Sequence, residues 1–390
     1  MVRALGVDPG TRSFDLVIVE GDTVVWEKSI DTMDVARNPS VLVKAIEEAG
    51  PVDIVAGPSG YGTPVICNED IVDPERFALE ILLLTSREQI EEGLRRGHVG
   101  IMVYKALAEV AVELWKRKLP VCYIPGVVHL PTVPWWRKLN KIDMGTADKM
   151  AVTVLAVHDY ARRHGASYGD ASFVLLEMGY GYNAAIAVRN GVIVDGIGGT
   201  LLSPGFLTIG GIDAEVVVAG GCWSRSNVFE GGLSTLCKTL DPRELLKPEC
   251  NGALQAMVEG VVKAARQLVP IARAREIIVS GRLMRIKEIR DIVVSELSRV
   301  APVERLGFLE GARQAKEAGQ GYALVGEGLA GGVMRELVHH MGILEARGTA
   351  LDWVIHPRAK EAKERLRRVY LETLARRKAE EILATGEEAL

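Results

Sequence analysis

Short apolar runs and glycine-containing turns recur in two places along this chain. The runs that predict strands are residues 4–7, 14–19, 23–26, 173–176, 183–188 and 192–194. In both places the first run leads into an acid, Asp8 or Glu177, and then into a turn that contains glycine. Asn190-Gly191 is a strong two-residue hairpin signal. The pattern predicts a duplicated fold with a cleft between two halves, and two unrelated hairpins are the simpler alternative.

Around these hairpins, helical spacing alternates with further apolar runs. Helices are predicted at 39–49, 74–84, 87–96, 103–116, 147–164, 252–272, 310–318 and 332–340, with one more from 286. Further strands are predicted at 52–56, 120–124, 276–279 and 303–305. From residue 357 the tail is rich in Lys, Arg and Glu, which is typical of a solvated amphipathic helix. The alternation indicates an α/β protein, and 390 residues are too many for one ordinary core, so we expect two domains.

Composition and charge argue against nucleic acids and membranes as binding partners of this protein. The net charge of −4, with no basic tract, argues against nucleic acid. No apolar run reaches the roughly 18 residues of a membrane helix. The first residues lead directly into a strand, so we expect a cytoplasmic protein without a signal peptide or a membrane contact. The five cysteines are scattered without C-x-x-C spacing, which favours neither a zinc site nor a disulfide framework.

Two glycine-rich loops that follow predicted strands are candidates for ligand contact. Ser59 lies in the 57–62 loop, at the strand end where parallel α/β sheets bind ligands, and a plain turn is an equal alternative. The tract 196–232 includes Gly198 and Gly199, and its glycines suit either close backbone approach to a ligand or an irregular loop. Because this tract follows directly on the second hairpin, we favour the interpretation that its glycines allow close approach to a ligand.

Three polar side chains in the 125–148 region are candidates for substrate chemistry. His129 stands in a proline-rich loop with paired tryptophans, where it would contact an anionic substrate or serve as a structural histidine. Asp143 and Asp148 flank the start of a predicted helix, for which Thr146 is a suitable N-cap. Asp148 is either an ordinary first-turn acid or, together with Asp143, a group that reaches into the cleft.

Five segments, in order, resemble the motifs of the actin, sugar kinase and heat-shock chaperone superfamily of ATP-binding proteins. They are 6–12 and 176–181 as phosphate motifs, 278–282 as adenosine motif, and 145–149 and 328–340 as connecting helices. The run 190–213 is similar to the acetate and butyrate kinases, and most closely to the archaeal predicted butyrate kinase family. The resemblance implies a duplicated actin-like (ribonuclease H-like) ATPase fold with a nucleotide cleft. It implies domains at 1–145 and 146–345 and a charged helical extension at 346–390.

The same resemblance implies ATP and Mg²⁺ as cofactors and assigns residues to them. Asp8 and Glu177 would hold the metal. Arg12 would offset charge on the transferred group, and Asp148 would accept a proton or orient the metal. The residues expected to bind nucleotide are Gly10, Thr11, Gly179, Tyr180, Gly181, Gly198, Gly199, Gly281 and Arg282. The residues expected to contact a small-molecule substrate are Ser59, His129 and Asp143. A homodimer is also implied.

The implied activity is a kinase that phosphorylates a short-chain carboxylate of the butyrate type, and the chain departs from that family in four places. The acyl kinases have Asn at the position of Asp8, no counterpart of Glu177, and a His-Gly-Thr where this chain has 143–146. Their arginine before the Gly-x-Ile-Asp element is replaced here by Thr208-Ile209. The alternatives are a kinase of a hydroxyl or sugar substrate, and a slow ATPase switch that acts on a protein partner.

Overall fold

A computed structural model of the protein describes residues 1–221 and 223–384. The chain forms two compact units, and each is built from segments that are separated in sequence. The first comprises Met1–Ile142, Thr146–His158 and the described residues from Phe308 onward, and the second comprises Asp143–Gly145 and Asp159–Gly307. The domain boundaries expected after residues 145 and 345 differ from these divisions and stay a prediction.

The first unit is built on a six-stranded sheet. Its strands are β1 (Arg3–Pro9), β2 (Ser13–Glu20), β3 (Thr23–Asp31), β4 (Ile54–Ala56), β5 (Ile66–Cys67) and β6 (Val121–Tyr123). They lie in the order β3-β2-β1-β4-β6-β5. β1, β2 and β3 pair antiparallel, β4 and β6 extend the sheet from β1 in parallel, and β5 pairs antiparallel with β6. The central strands are buried almost throughout, which explains their apolar sequences.

The second unit repeats this plan in five strands. They are β7 (Phe173–Met178), β8 (Asn183–Arg189), β9 (Val192–Ile197), β10 (Glu276–Ser280) and β11 (Val303–Arg305). Their order is β11-β10-β7-β8-β9, with β7, β8 and β9 antiparallel and β10 and β11 parallel to β7. Each unit therefore has an antiparallel hairpin followed by parallel strands, and the prediction of a duplicated α/β fold is confirmed.

Helices cover the sheets and form the tail. They are α1 (Thr32–Arg37), α2 (Ser40–Glu48), α3 (Pro74–Arg76), α4 (Arg87–Arg95), α5 (Val99–Lys116), α6 (Trp135–Lys138), α7 (Ala147–His164), α8 (Ala214–Gly220), α9 (Leu233–Cys237), α10 (Asn251–Ala272), α11 (Lys287–Leu297), α12 (Glu317–Leu329), α13 (Arg335–His340), α14 (Lys360–Thr373) and α15 (Arg376–Leu383). A π-helical turn, Phe77–Leu82, continues α3. In the second unit α10 packs on β7 and β8 and provides much of that core.

The helices around residues 310–340 differ from the prediction. Residues 310–316 form no helix, and a single buried helix, α12, begins at Glu317 and runs through the glycine-rich stretch instead. A Cβ at Gly6 would collide with the backbone of α12, and a Cβ at Gly321 would collide with the carbonyl oxygen of Ala151 on α7. Close packing on both sides therefore requires glycine and outweighs its low helix propensity. The connecting helix expected at 328–340 forms only in part, because α12 ends at Leu329 and the next helix, α13, covers Arg335–His340.

The cysteine prediction is also corrected. Cys67 on β5 and Cys122 on β6 form a disulfide, and Cys237 and Cys250 form a second one. Cys67 and Cys122 are direct partners across two paired strands, which the spacing along the chain does not reveal. Cys222 lies outside the described residues. None of the described helices combines the length and apolar character needed to cross a lipid bilayer.

Candidate functional site

The first turn brings two acids together at the end of β1. In the β1–β2 register Asp8 lies directly opposite Asp15, and both side chains are buried. Two carboxylates in such a cross-strand pair destabilise a sheet unless a cation lies between them. That cation is the ammonium of Lys316, whose Nζ lies 2.6 Å from Asp8 Oδ2 and 3.2 Å from Asp15 Oδ2. Ser13 Oγ donates a further hydrogen bond to Asp15, at 2.7 Å.

Lys316 reaches this position because it immediately precedes α12, the helix that packs closely on β1. Its side chain is 16% exposed and lies against the turn, since a Cβ at Gly10 would collide with Nζ. Burial disfavours the charged ammonium, but Asp8 and Asp15 outweigh burial and raise the pKa of Lys316 above its ordinary value. Lys316 is therefore a protonated cation in the first turn.

Asp148, in the first turn of α7, adds a third carboxylate to the cluster. It accepts hydrogen bonds from Thr146 Oγ1 and, at 2.7 Å, from Lys149 Nζ. Burial works to raise the pKa of Asp148, but Lys149 and the hydrogen bonds from Lys149 and Thr146 lower it below the ordinary value. Burial raises the pKa of Asp8; Lys316 opposes that rise, and the charge of Asp148 adds to it.

The charges of this cluster do not balance. Asp8, Asp15 and Asp148 face two ammonium groups, those of Lys149 and Lys316. By formal charge, three carboxylates therefore face two ammonium groups in a largely buried place, where an added cation is favoured electrostatically. Among the described residues, no three His, Cys, Asp or Glu side chains converge as a ready-made metal site. Mg²⁺ keeps several of its waters in proteins and does not require such a set.

The other predicted residues of the first turn lie nearer its surface. Thr32 Oγ1 donates to the Gly10 carbonyl at 2.7 Å, and the Thr32 backbone N–H donates to the Arg12 carbonyl at 3.1 Å, so the turn is held closed. Thr11 is exposed. The Arg12 side chain is 54% exposed and lies 3.6 Å from Asp31. Arg12 is thus at the rim of the turn, whereas Lys316 is inside it.

Ser59 and His129 are buried in the first unit. Ser59 Oγ donates to the Gly57 carbonyl and accepts from the Ile124 backbone N–H, at 2.8 and 2.9 Å. Neither ring nitrogen of His129 has a hydrogen-bond partner within the described residues. Burial, aided by the nearby Lys138 ammonium, lowers the pKa of His129 to about 3. The imidazole is therefore neutral and offers no positive charge to an anionic substrate.

The second turn follows β7 and is organised by close backbone packing. Glu177 pairs with Ala184 on β8 and with Ser280 on β10. The Gly179 backbone N–H donates to the Tyr182 carbonyl at 2.9 Å. A Cβ at Gly281 (φ 98°) would lie 2.8 Å from Glu177 Oε1, so glycine is required beside this carboxylate.

Further predicted residues of the second unit serve the loops around this turn. The two carboxylate oxygens of Asp143 accept from the backbone of Gly145 and from Thr200, and a Cβ at Gly198 would collide with one of them. A Cβ at Gly199 would collide with the Tyr182 ring. The two glycines therefore allow the 198–200 loop to fold tightly onto its neighbours.

The remaining nucleotide-binding candidates belong to the same unit. The Tyr180 hydroxyl donates to the Leu240 carbonyl at 2.6 Å. The Gly181 carbonyl accepts from Thr208 Oγ1 at 2.9 Å. Arg282 begins a short 3₁₀ turn directly after β10 and Gly281, and it is partly buried.

A cavity of about 950 Å³ lies elsewhere in the first unit. It borders Val2, Asp53 and Pro120, which precede or begin the paired parallel strands β1, β4 and β6, and it contains none of the predicted site residues. Ligands of parallel α/β sheets bind at the carboxyl ends of strands, where Asp8 is. Glu327, which also lines this cavity, is committed to the backbone N–H groups of Val333 and Met334.

Sequence reasoning missed Lys316 and Asp15. An acid in the apolar run of β2 was a readable signal for Asp15, because a buried carboxylate needs a partner. No local signal pointed to Lys316, which the pattern had placed inside a predicted helix at 310–318. Only the packing of α12 on β1 brings it to the turn.

Solved structures share this fold. A propionate kinase from Francisella tularensis subsp. tularensis SCHU S4 is 11% identical, with a TM-score of 0.54 over 83% of this chain and 98% of that chain. An acetate kinase from Entamoeba histolytica is 12% identical, with a TM-score of 0.51 over 76% and 87%. Porphyromonas gingivalis acetate kinase is 13% identical, with a TM-score of 0.50 over 83% and 98%. The likeness establishes the actin-like ATPase fold.

None of the curated proteins matches this sequence. The family profile described as "Protein of unknown function (DUF1464)" matches residues 6–356, which is most of the chain. Because the match covers most of the chain, the chain belongs to the DUF1464 family.

Proposed function

We propose that this protein is an ATP- and Mg²⁺-dependent kinase whose acceptor is a short-chain carboxylate of the butyrate type. The observation that carries the proposal is the buried cluster in which three carboxylates, those of Asp8, Asp15 and Asp148, face the ammonium groups of Lys316 and Lys149. It stands in a fold that is shared with structures titled propionate kinase and acetate kinase. Phosphoryl transfer depends mainly on positioning and charge neutralisation, for which this cluster is suited.

We propose that each of the two turns contributes to binding a magnesium–nucleotide complex. The unbalanced charge beside Asp8 would be offset by a divalent cation. Beside Glu177, the buried Ser280 hydroxyl has no hydrogen-bond partner within the described residues. Because buried polar groups normally form hydrogen bonds, this hydroxyl is a candidate to bond with a ligand. We propose Asp8 and Glu177 as the carboxylates that hold Mg²⁺ through its waters. Bound there, Mg²⁺ would neutralise phosphate charge.

The chain's own groups would bind and orient the nucleotide. Gly10 and Thr11 would expose the backbone of the first turn to the phosphates, and the 179–181 turn with Tyr180 would do so in the second. Gly281 and Arg282, after β10, would line the adenine side. Gly198 and Gly199 would contribute indirectly, because they allow the 198–200 loop beside the second turn to fold tightly. Arg12, at the rim of the first turn, would attract the negatively charged phosphates of the approaching nucleotide.

The state of the aspartates favours a carboxylate acceptor over an alcohol. A hydroxyl substrate needs a base, and a base works best when its pKa lies near the operating pH. The pKa of Asp148 is lowered, and both carboxylate oxygens of Asp143 are occupied by hydrogen bonds. A carboxylate substrate is already ionised and needs no base. One of its oxygens forms a bond to the γ-phosphorus while the bond to the bridging β,γ-oxygen breaks, which gives an acyl phosphate and ADP.

The test is ADP release by purified protein with Mg²⁺, ATP and each candidate acceptor, with hydroxylamine present to trap acyl phosphate. The expected result is release that depends on acetate, propionate or butyrate, with hydroxamate formed in equal amount. Release that depends on a sugar or alcohol, without hydroxamate, would identify the alternative kinase. ATP hydrolysis indifferent to every small molecule would favour the ATPase switch. A homodimer stays a prediction, which sedimentation of the same sample addresses.

A further inference from the structure

The loop that leads into α12 is fastened to the edge strand β3. Glu27 accepts hydrogen bonds from three successive backbone N–H groups, those of Arg313, Gln314 and Ala315, with the shortest at 2.8 Å. Upstream, the Val24 N–H donates to the Glu310 carbonyl at 2.8 Å. Successive N–H groups that converge on one carboxylate form an anion-binding nest. The residue that follows this nest is Lys316.

Within the described part of the chain, the contacts of Lys316 leave one of its N–H donors for a ligand. An ammonium group carries three N–H donors. Asp8 and Asp15 take two of them, at 2.6 and 3.2 Å. The side chain retains 16% exposure, so the group is fixed but reachable. Its position against Gly10 is where the first turn would meet a phosphate.

The other cations near this turn are less suited to the task. Arg12 is half exposed and lies 3.6 Å from Asp31, so water screens its charge. Lys149 already donates to Asp148 at 2.7 Å. Lys316 combines burial, a fixed position and direct contact with Asp8, the acid proposed for the metal.

Resting on the proposed function, we propose that Lys316 is a catalytic residue whose ammonium contacts the transferred phosphoryl group, and that Glu27 is its positioning residue. As the β,γ-bridging bond breaks, negative charge shifts onto the phosphoryl and leaving oxygens, and a preorganised buried cation stabilises that charge. No proton moves in this step, and Lys316 remains an ammonium throughout. Glu27 acts indirectly, by holding the three residues before Lys316 in place.

The test compares Lys316→Met and Lys316→Arg with wild type. Calorimetry would measure binding of Mg·ADP and of magnesium with the β,γ-imido analogue of ATP, which carries the terminal phosphoryl group. We expect Lys316→Met to lower kcat at least about 100-fold. We expect it to weaken the analogue at least about tenfold more than ADP. Lys316→Arg should recover part of both. A merely structural lysine would change the two affinities equally.

Controls keep the result interpretable. Lys287→Met removes an exposed lysine in the other unit and should leave all values unchanged. Because Lys316→Met leaves two buried acids opposed, the double variant Lys316→Met/Asp15→Asn removes one charge of each sign and serves if the single variant fails to fold. Glu27→Ala should lower kcat about tenfold with little change in the acid's KM, and Glu27→Gln, which keeps an acceptor, should restore part of it.

The possible outcomes separate the role of Lys316 from the proposed kinase activity. If wild type transfers phosphoryl groups and the folded Lys316 variants keep its kcat and its preference for the analogue, the role of Lys316 is wrong and the proposed function stands. If wild type neither binds the analogue nor releases ADP with any acceptor, both proposals fall together.

Discussion

The two hairpin turns of this protein share a topology and differ in electrostatics. β1–β3 and β7–β9 are both antiparallel, both are extended by parallel strands, and both have a register shift between their second and third strands. Across from Asp8, however, lies a second acid, Asp15, whereas across from Glu177 lies Ala184. One turn is stabilised by a buried lysine and the other by glycines that permit close packing. The shared fold thus places an acid at the end of the first strand of each hairpin. The charged groups around that acid come from other segments, such as the one that carries Lys316.

The largest expected effect comes from giving the second turn the acid pair of the first. Ala184 is 1% exposed and lies directly opposite Glu177 across the β7–β8 pair. Ala184→Asp should therefore lower the free energy of unfolding by about 3–5 kcal/mol, because it places a second carboxylate in a fully buried position opposite Glu177. Urea unfolding monitored by circular dichroism measures the change.

Two matched variants sharpen that result. Ala184→Asn has nearly the same shape without the charge and should cost clearly less. Asp15→Ala in the first turn leaves Lys316 paired with Asp8 and should cost about 1–2 kcal/mol. Equal stability of the Asp and Asn variants at position 184 would show that charge balance is not what distinguishes the turns.

An intermediate effect is expected from His129, a buried group of the first unit that lacks the paired acid of Lys316. Its pKa is about 3 in the folded protein and near 6.5 when unfolded, so only the unfolded state takes up the proton between these values. The free energy of unfolding should fall as pH drops from 6.5 toward 3, by up to about 1.4 kcal/mol per pH unit. Lys138 and, beyond it, Asp352 are the charged groups nearby.

The measurement is urea unfolding of wild type and His129→Leu at pH 7, 6, 5 and 4. The leucine variant should lose less stability than wild type across this range. His339→Leu is the control, because His339 is 75% exposed and should behave as wild type. Parallel curves for wild type and His129→Leu would refute the buried, neutral imidazole.

The smallest effect on stability is expected at Arg12. Its guanidinium is 54% exposed and its ion pair with Asp31 spans 3.6 Å. Exposed pairs contribute little, so Arg12→Gln should change the free energy of unfolding by at most about 0.5 kcal/mol. The same urea titration measures it. A loss above 2 kcal/mol would place Arg12 among the structural cations with Lys316.

The sequence predicted strands well where burial is continuous. The runs at 4–7 and 173–176 lie within β1 and β7, and the helix at 147–164 has the bounds of α7. It failed at α12, where no helix was predicted over residues 319–327 because glycine has a low helix propensity, whereas the close packing of this helix requires glycine. It also missed the Cys67–Cys122 disulfide, which depends on the pairing of β5 with β6.

By itself, the sequence determined the duplicated α/β plan and the acids that end β1 and β7, since both follow from local periodicity and turn chemistry. Only the tertiary structure decided that Asp15 faces Asp8 and that Lys316, some 300 residues away in sequence, lies between them. The physical reason is range: periodicity acts over a few neighbouring residues, whereas a buried charge is stabilised by whichever segment the packing of the fold brings beside it.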